Sequence, residues 1–270
     1  MTGFEKFIKF LSAEVQSPLA PFGAFHLVFF AIIIAVAVVL SVKLKDCSDK
    51  TYRLTLFIIW LVIFVFEIYK QLVAPYSFDS EKAIYSYNFN DIPYQFCSTI
   101  HYVLLPIVFL KDGKVRDAIT SFTAFYVFLA GFMVTVFPDQ LKSLREVGLC
   151  IQTMVHHGAQ VIAGAFIAVR MRKKINLKFF LSGTIVFLAF LALAVILNFA
   201  LSPENIGGKV INFFYISPYH NCPLPVLGDI RKSVPWIVFF LIYFIGFMLV
   251  AGIIALGFYY LGKLIKTEKQ

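Results

Sequence analysis

The chain is 270 residues long, 60% hydrophobic and only 14% charged, with a formal net charge of +9. A charged fraction about half that of soluble domains leaves too little polar surface to cover a water-soluble fold, and nearly all the charge falls in short stretches between long apolar runs. The positive residues are scattered over several loops with no interleaved aromatics, which excludes a nucleic-acid face and points instead to membrane topology.

In chain order, residues 1–20 are expected to form an amphipathic segment on the membrane surface, because Phe4, Phe7, Ile8 and Leu11 share one face at helical spacing. A span needs about 20 mostly apolar residues, and seven runs meet or approach this: residues 22–42, 54–73, 92–110, 118–137, 147–169, 179–201 and 234–261. The first run lacks a small-residue cleavage site and reads as a span, not a signal peptide. The expected architecture is all-α, a polytopic bundle of about seven transmembrane helices over residues 21–262 with a tail at 263–270. Lys and Arg number 15 in the loops after the odd-numbered spans and 9 on the other side. That bias places the amino terminus outside and the carboxyl terminus in the cytoplasm, in a multi-pass plasma-membrane protein.

Ionisable side chains inside spans cost about 2.5–3.5 kcal/mol near the centre and are functional candidates by default. Glu67 falls near the outer end of the second span, where it can also form an ordinary i,i+3 pair with Lys70. Cys97 and His101 lie in the outer half of the third, His156 and His157 in that of the fifth, and His26 and Asn198 in those of the first and sixth. Their shared half of the bilayer suggests one polar cavity opening outward. The stretch 90–97, Asn-Asp-Ile-Pro-Tyr-Gln-Phe-Cys, reads as a capped helix start with proline in the first turn and Cys97 in the second. There the positive end of the helix favours a thiolate, and His101 follows at i+4. A cysteine in such a place also serves as a small apolar filler.

His156 and His157 project about 100° apart on a helix. Such a histidine suits a general base, a haem or metal ligand, or a packed hydrogen-bonding group. Cys47, Cys97, Cys150 and Cys222 include no CxxC pair and are too dispersed for a disulfide framework, so no structural zinc site is expected. Between the last two spans, a loop of about 32 residues rich in aromatics and proline reads as a lid, a re-entrant piece or an interfacial belt.

The segment Ile92-Pro93-Tyr94-Gln95-Phe96-Cys97 resembles the LPLHLC signature of YwaF-like bacterial membrane proteins, which are grouped with the vertebrate transmembrane protein 164 acyltransferases. Met154-Val155-His156-His157-Gly158 is similar to that family's histidine-glycine pair about 60 residues downstream. Asn212-Phe213-Phe214-Tyr215-Ile216 and Val234-Pro235-Trp236 resemble its asparagine-aromatic segment and its proline-tryptophan entry to the last span. The resemblance covers most of the chain from the third span onward, with one departure: Gln95 stands where the family has histidine.

The resemblance implies an intramembrane acyltransferase, set in a bacterial cell membrane, that moves a fatty acyl chain between phospholipids as donor and acceptor. It uses a Cys97 thioester and His157 as base, without metal or other cofactor. His156, His101, Gln95, Glu67, Asn198 and Asn212 are its supporting candidates, with Gln95 or Tyr102 as groups that could polarise the carbonyl. A lipid hydrolase with the same pair is the alternative enzyme. A carrier or receptor for a small or lipid ligand is the alternative outside enzymes.

Overall fold

The protein's structure is a computed structural model that describes residues 1–79 and 82–267. Its fold is all-α and polytopic, and each of the seven apolar runs holds a helix. Helix α1 (Gly3–Leu11) starts at a reciprocal Thr2–Glu5 capping box, buries Ile8 and leaves Phe4, Phe7 and Phe10 exposed. The Tyr69 hydroxyl donates to the Leu11 carbonyl at 2.7 Å. Backbone bonds of 2.8 Å, from Val15 to Arg145 and from Val147 to Ala13, dock the following segment onto the bundle.

Helices α2 (Ala24–Lys43) and α3 (Asp49–Val73) follow, then an antiparallel hairpin of β1 (Tyr76–Asp79) and β2 (Lys82–Tyr85) that the periodicity does not anticipate. The third run departs from expectation. Only its second part is helical, a 3-10 turn at Cys97–Thr99 continuing into α4 (Ile100–Phe109). At about 20 Å this piece is too short to cross a bilayer alone. Pro93 holds the residue before it out of the helical region, with Ile92 at φ −52° and ψ 128°, and the Gln95 side chain is bonded to Asn212 and Phe214 of a distant segment. Cys97 therefore opens the helix and does not sit in its second turn.

A continuous helix, Lys114–Val136, comprises α5 (Lys114–Phe122), a π turn (Thr123–Val127) and α6 (Phe128–Val136). Helix α7 (Val147–Arg170) is the centre of the bundle, with 17 of its 24 residues buried against neighbours that include α2, α3 and α6. Its Gln152, Thr153, His156, His157 and Gln160 would be costly against lipid, and its glycines and alanines let other backbones come close. Helices α8 (Leu177–Ala200), α9 (Leu227–Ser233) and α10 (Trp236–Thr267) complete the chain. In α10, only 17% of the apolar window is buried, which marks it as a lipid-facing wall. It continues past residue 262, so the expected tail begins as helix, and residues 268–270 lie outside the described set.

Five of these helices are long and apolar enough to cross a membrane: α2, α3, the α5–α6 helix, α8 and α10. The more polar α7, at about 36 Å, has the length as well. The connections after α2, α4 and α7 meet at one end through ion pairs and carbonyl bonds. Arg172 reaches Asp46 at 2.7 Å, and Arg53 reaches the carbonyl of Leu110 at 2.8 Å. Buried Arg116 joins Asp49 at 3.0 Å, Asp112 and the Ile107 carbonyl.

Close helix contacts rest on glycine. A Cβ at Gly131 would fall 2.5 Å from the His157 carbonyl and 2.4 Å from Gln160 Cβ, and one at Gly183 would lie 2.7 Å from the Phe122 nitrogen. Gly131→Ala should therefore force α6 off α7 and cost about 1–3 kcal/mol, read as a lower melting temperature in detergent. Gly246→Ala, with open space around its Cβ, should leave melting unchanged or raise it.

Candidate active site

Residues 92–96 and 211–217 lie outside any α-helix, the second stretch making only the short, distorted 3-10 turn Phe213–Tyr215, and such backbone inside a bundle is tolerable only where protein or a water-filled cavity surrounds it. Side-chain amides supply their hydrogen bonds. Gln95 donates to the Asn212 carbonyl at 3.0 Å and accepts from the Phe214 nitrogen at 2.8 Å. Asn198 accepts from the Phe213 nitrogen at 2.9 Å and donates to the Phe213 carbonyl at 3.0 Å. Asn212 donates to the Asn221 carbonyl and accepts from the Ser217 nitrogen, while Asn90 accepts from the Asn212 nitrogen. The Trp236 indole donates to the Ile216 carbonyl at 2.7 Å. Together they hold Phe214 and Tyr215 at φ 56° and 58°, a left-handed conformation costing about 1–3 kcal/mol per residue.

The clamp turns Tyr215 into the wall of a cavity of about 280 Å³, with Cys97, Gln95, Glu67, Lys70, His156 and His157 also on its lining. Cys97 Sγ and one ring nitrogen each of His156 and His157 all lie within 4.8 Å of one another. His157 Nδ1 sits 2.8 Å from the Thr153 carbonyl. A carbonyl only accepts, so Nδ1 carries the proton and Nε2 keeps its lone pair. Nε2 is buried and has no hydrogen-bond partner among the described residues. His156 stands at 86° to His157, with ring centroids 5.1 Å apart, and stacks on His101 at 5.2 Å. His101 Nε2 lies 3.7 Å from Glu67 Oε2, and Glu67 Oε1 takes Lys70 at 2.9 Å and the Gln71 amide at 2.7 Å. The Glu67–Lys70 pair and the proximity of Glu67 to the histidines are thus features of one buried carboxylate. Where the chain enters the cavity, burial holds the Asp91 carboxyl above the usual carboxylate range.

Cys97, His101, His156, His157 and Glu67 come together here, while Gln95, Asn198 and Asn212 form the clamp behind them. His26 is elsewhere: its Nε2 bonds the Thr135 carbonyl at 2.8 Å and its Nδ1 accepts from the Phe22 nitrogen at 3.0 Å, which ties α2 to α6. Tyr102 is exposed and packs beside Tyr94. Sequence reasoning missed Gln152, Gln140 and Ser143, also on the cavity wall, the last two from a connection with no helical period. The Thr153 carbonyl was within reach, being one turn before His157.

The role Gln95 plays is one a histidine could also fill, because a neutral imidazole offers one donor and one acceptor. Gln95→His should keep the fold and the resistance of residues 202–226 to proteolysis. Gln95→Glu, which cannot donate to the Asn212 carbonyl, should cost about 1–3 kcal/mol and make that segment protease-sensitive.

No curated protein and no solved structure matches the chain. A family model, that of the TMEM164 family, matches residues 21–259. With nearly the whole helical domain inside that match, the chain belongs to the TMEM164 family.

Proposed function

We propose that the protein is an intramembrane lipid acyltransferase with a Cys97 nucleophile and a His157 base. The observation that carries this reading is the His157 ring, oriented by the Thr153 carbonyl so that its buried Nε2 keeps a free lone pair, in a cluster where one nitrogen of that ring lies within 4.8 Å of Cys97 Sγ. An oriented base beside a thiol is the arrangement that covalent catalysis needs. TMEM164 family membership and the lipid-facing surface of the bundle support a lipid substrate.

In the first half-reaction, Cys97 Sγ attacks an ester carbonyl of a phospholipid and its proton passes to His157 Nε2. Collapse of the tetrahedral intermediate breaks the ester C–O bond, and the leaving alkoxide takes the proton back, leaving a thioester and a lysolipid. In the second, an acceptor hydroxyl gives its proton to Nε2 and attacks the thioester, and the Cys97 thiolate leaves and is reprotonated. Cys97 stands at the start of its helical segment, where a helix's positive end favours a thiolate. The cavity volume suits the ester-bearing part of one lipid, with the acyl chains remaining on the lipid side. His101, stacked on His156 and with its Nε2 edge 3.7 Å from Glu67 Oε2, positions the His156 ring.

In liposomes with labelled phospholipid, the parent should carry a hydroxylamine-sensitive acyl group and move chains between lipids. Cys97→Ala should do neither, and His157→Gln should be slower by about 10²–10⁴. Full transfer by Cys97→Ala would sink this mechanism. Release of labelled fatty acid with no transfer would make the protein a hydrolase with the same pair, and no acyl chemistry across a broad lipid panel would favour the carrier reading.

A further inference from the structure

We infer that Cys97, His156 and His157 form a binding site for a thiophilic divalent cation of the Zn²⁺ class, and that filling it silences the nucleophile. The binding half stands on geometry alone; only the silencing rests on the proposed acyl transfer.

Three donor atoms of the right kinds, one thiol sulfur and two imidazole nitrogens, lie within 4.8 Å of one another. Donors around tetrahedral zinc are about 3.5 Å apart, so side-chain torsions need close the cluster by only about 1 Å. His156 Nδ1 and His157 Nε2 are buried and without a hydrogen-bond partner among the described residues. Buried polar atoms left so are costly, a cost that a bound cation relieves. The His157 Nδ1–H bond to the Thr153 carbonyl is the outer contact that metal-ligating histidines almost always make, and it aims the Nε2 lone pair away from its own helix.

Thiolate and imidazole select Zn²⁺ and its neighbours over Mg²⁺ or Ca²⁺. A fourth position faces the cavity, where Gln152 and Glu67 lie. Binding replaces the S–H bond of Cys97 with a metal–sulfur bond and releases one proton, while the imidazoles bind neutral. With the sulfur lone pair and Nε2 both engaged, nucleophile and base are lost together.

Co²⁺ added stoichiometrically to the purified full chain in detergent should give a thiolate-to-cobalt charge-transfer absorption in the near ultraviolet with tetrahedral bands in the visible. Zn²⁺ should displace both. Cys97→Ser, nearly isosteric and eluting like the parent on size exclusion, should lose the charge-transfer absorption. His156→Ala should weaken cobalt binding at least about tenfold. No absorption at excess Co²⁺, or an absorption that survives in Cys97→Ser and so arises at Cys47, Cys150 or Cys222, overturns the site. In the liposome assay, one Zn²⁺ per chain should cut acyl transfer at least about tenfold, reversibly with a chelator. Transfer unchanged by bound Zn²⁺, or abolished by the chelator, overturns the silencing. A parent inert in acyl transfer fails the proposed function instead, and the cobalt spectrum still decides the metal site.

Discussion

Backbone that is neither helix nor sheet, placed inside an apolar bundle, must find a hydrogen-bond partner for each polar group or lose several kcal/mol per group. Two such stretches, before Cys97 and around Phe214, face each other here. Gln95, Asn198, Asn212 and Asn90 meet that demand, Gln95 and Asn90 across more than a hundred residues of chain, Asn198 and Asn212 from within or near the second stretch. The cavity exists because the chain stops being helical at this depth, and it persists because amide side chains complete what the helix would have supplied. The left-handed aromatics, the inward Tyr215 and the abrupt helix start at Cys97 all follow from this clamp.

Helix α7 makes the complementary contribution. A helix with five polar residues in its middle cannot face lipid cheaply, and one rich in glycine and alanine has little bulk to keep neighbours away. Both properties drive it to the centre, where α6 touches the His157 carbonyl at Gly131. The adjacent histidines then divide their work: His157 is fixed by its own helix through Thr153, while His156 packs against His101 and extends the polar line to Glu67.

Much of this was legible in the residues. The seven apolar runs, the surface helix with Phe4 and Phe7, and the half of the bundle that holds Cys97 and the histidines all follow from hydropathy and helical spacing. The local form of the third run was not legible, because a capping pattern before Pro93 reads equally as a helix start and as an extended entry. Only the partner segment, more than a hundred residues away, decides between them. Gln95 shows the same limit. Its chemistry looked catalytic by position, yet its two bonds go to backbone at Asn212 and Phe214, a pairing with no local signature. Gln140 and Ser143 reach the cavity from an irregular connection, where no periodicity announces a facing direction.

The π turn at Thr123–Val127 has an evolutionary side. All five of its residues are buried, and it accommodates one residue more than a regular helix would between the contacts that α5 makes with α8 and those that α6 makes with α7. Deleting one residue there would restore ordinary hydrogen bonding with α5 and α6 still in phase, whereas a deletion in the regular helix on either side would rotate α6 by about 100° relative to α5, carrying Gly131 away from His157. Outside this turn, the length of the helix is thus constrained independently of its composition. A lineage can exchange its apolar residues freely at lipid-facing positions and can lose one residue from the turn, but a single-residue deletion in the helix beside it would dismantle the site without touching any residue that lines it.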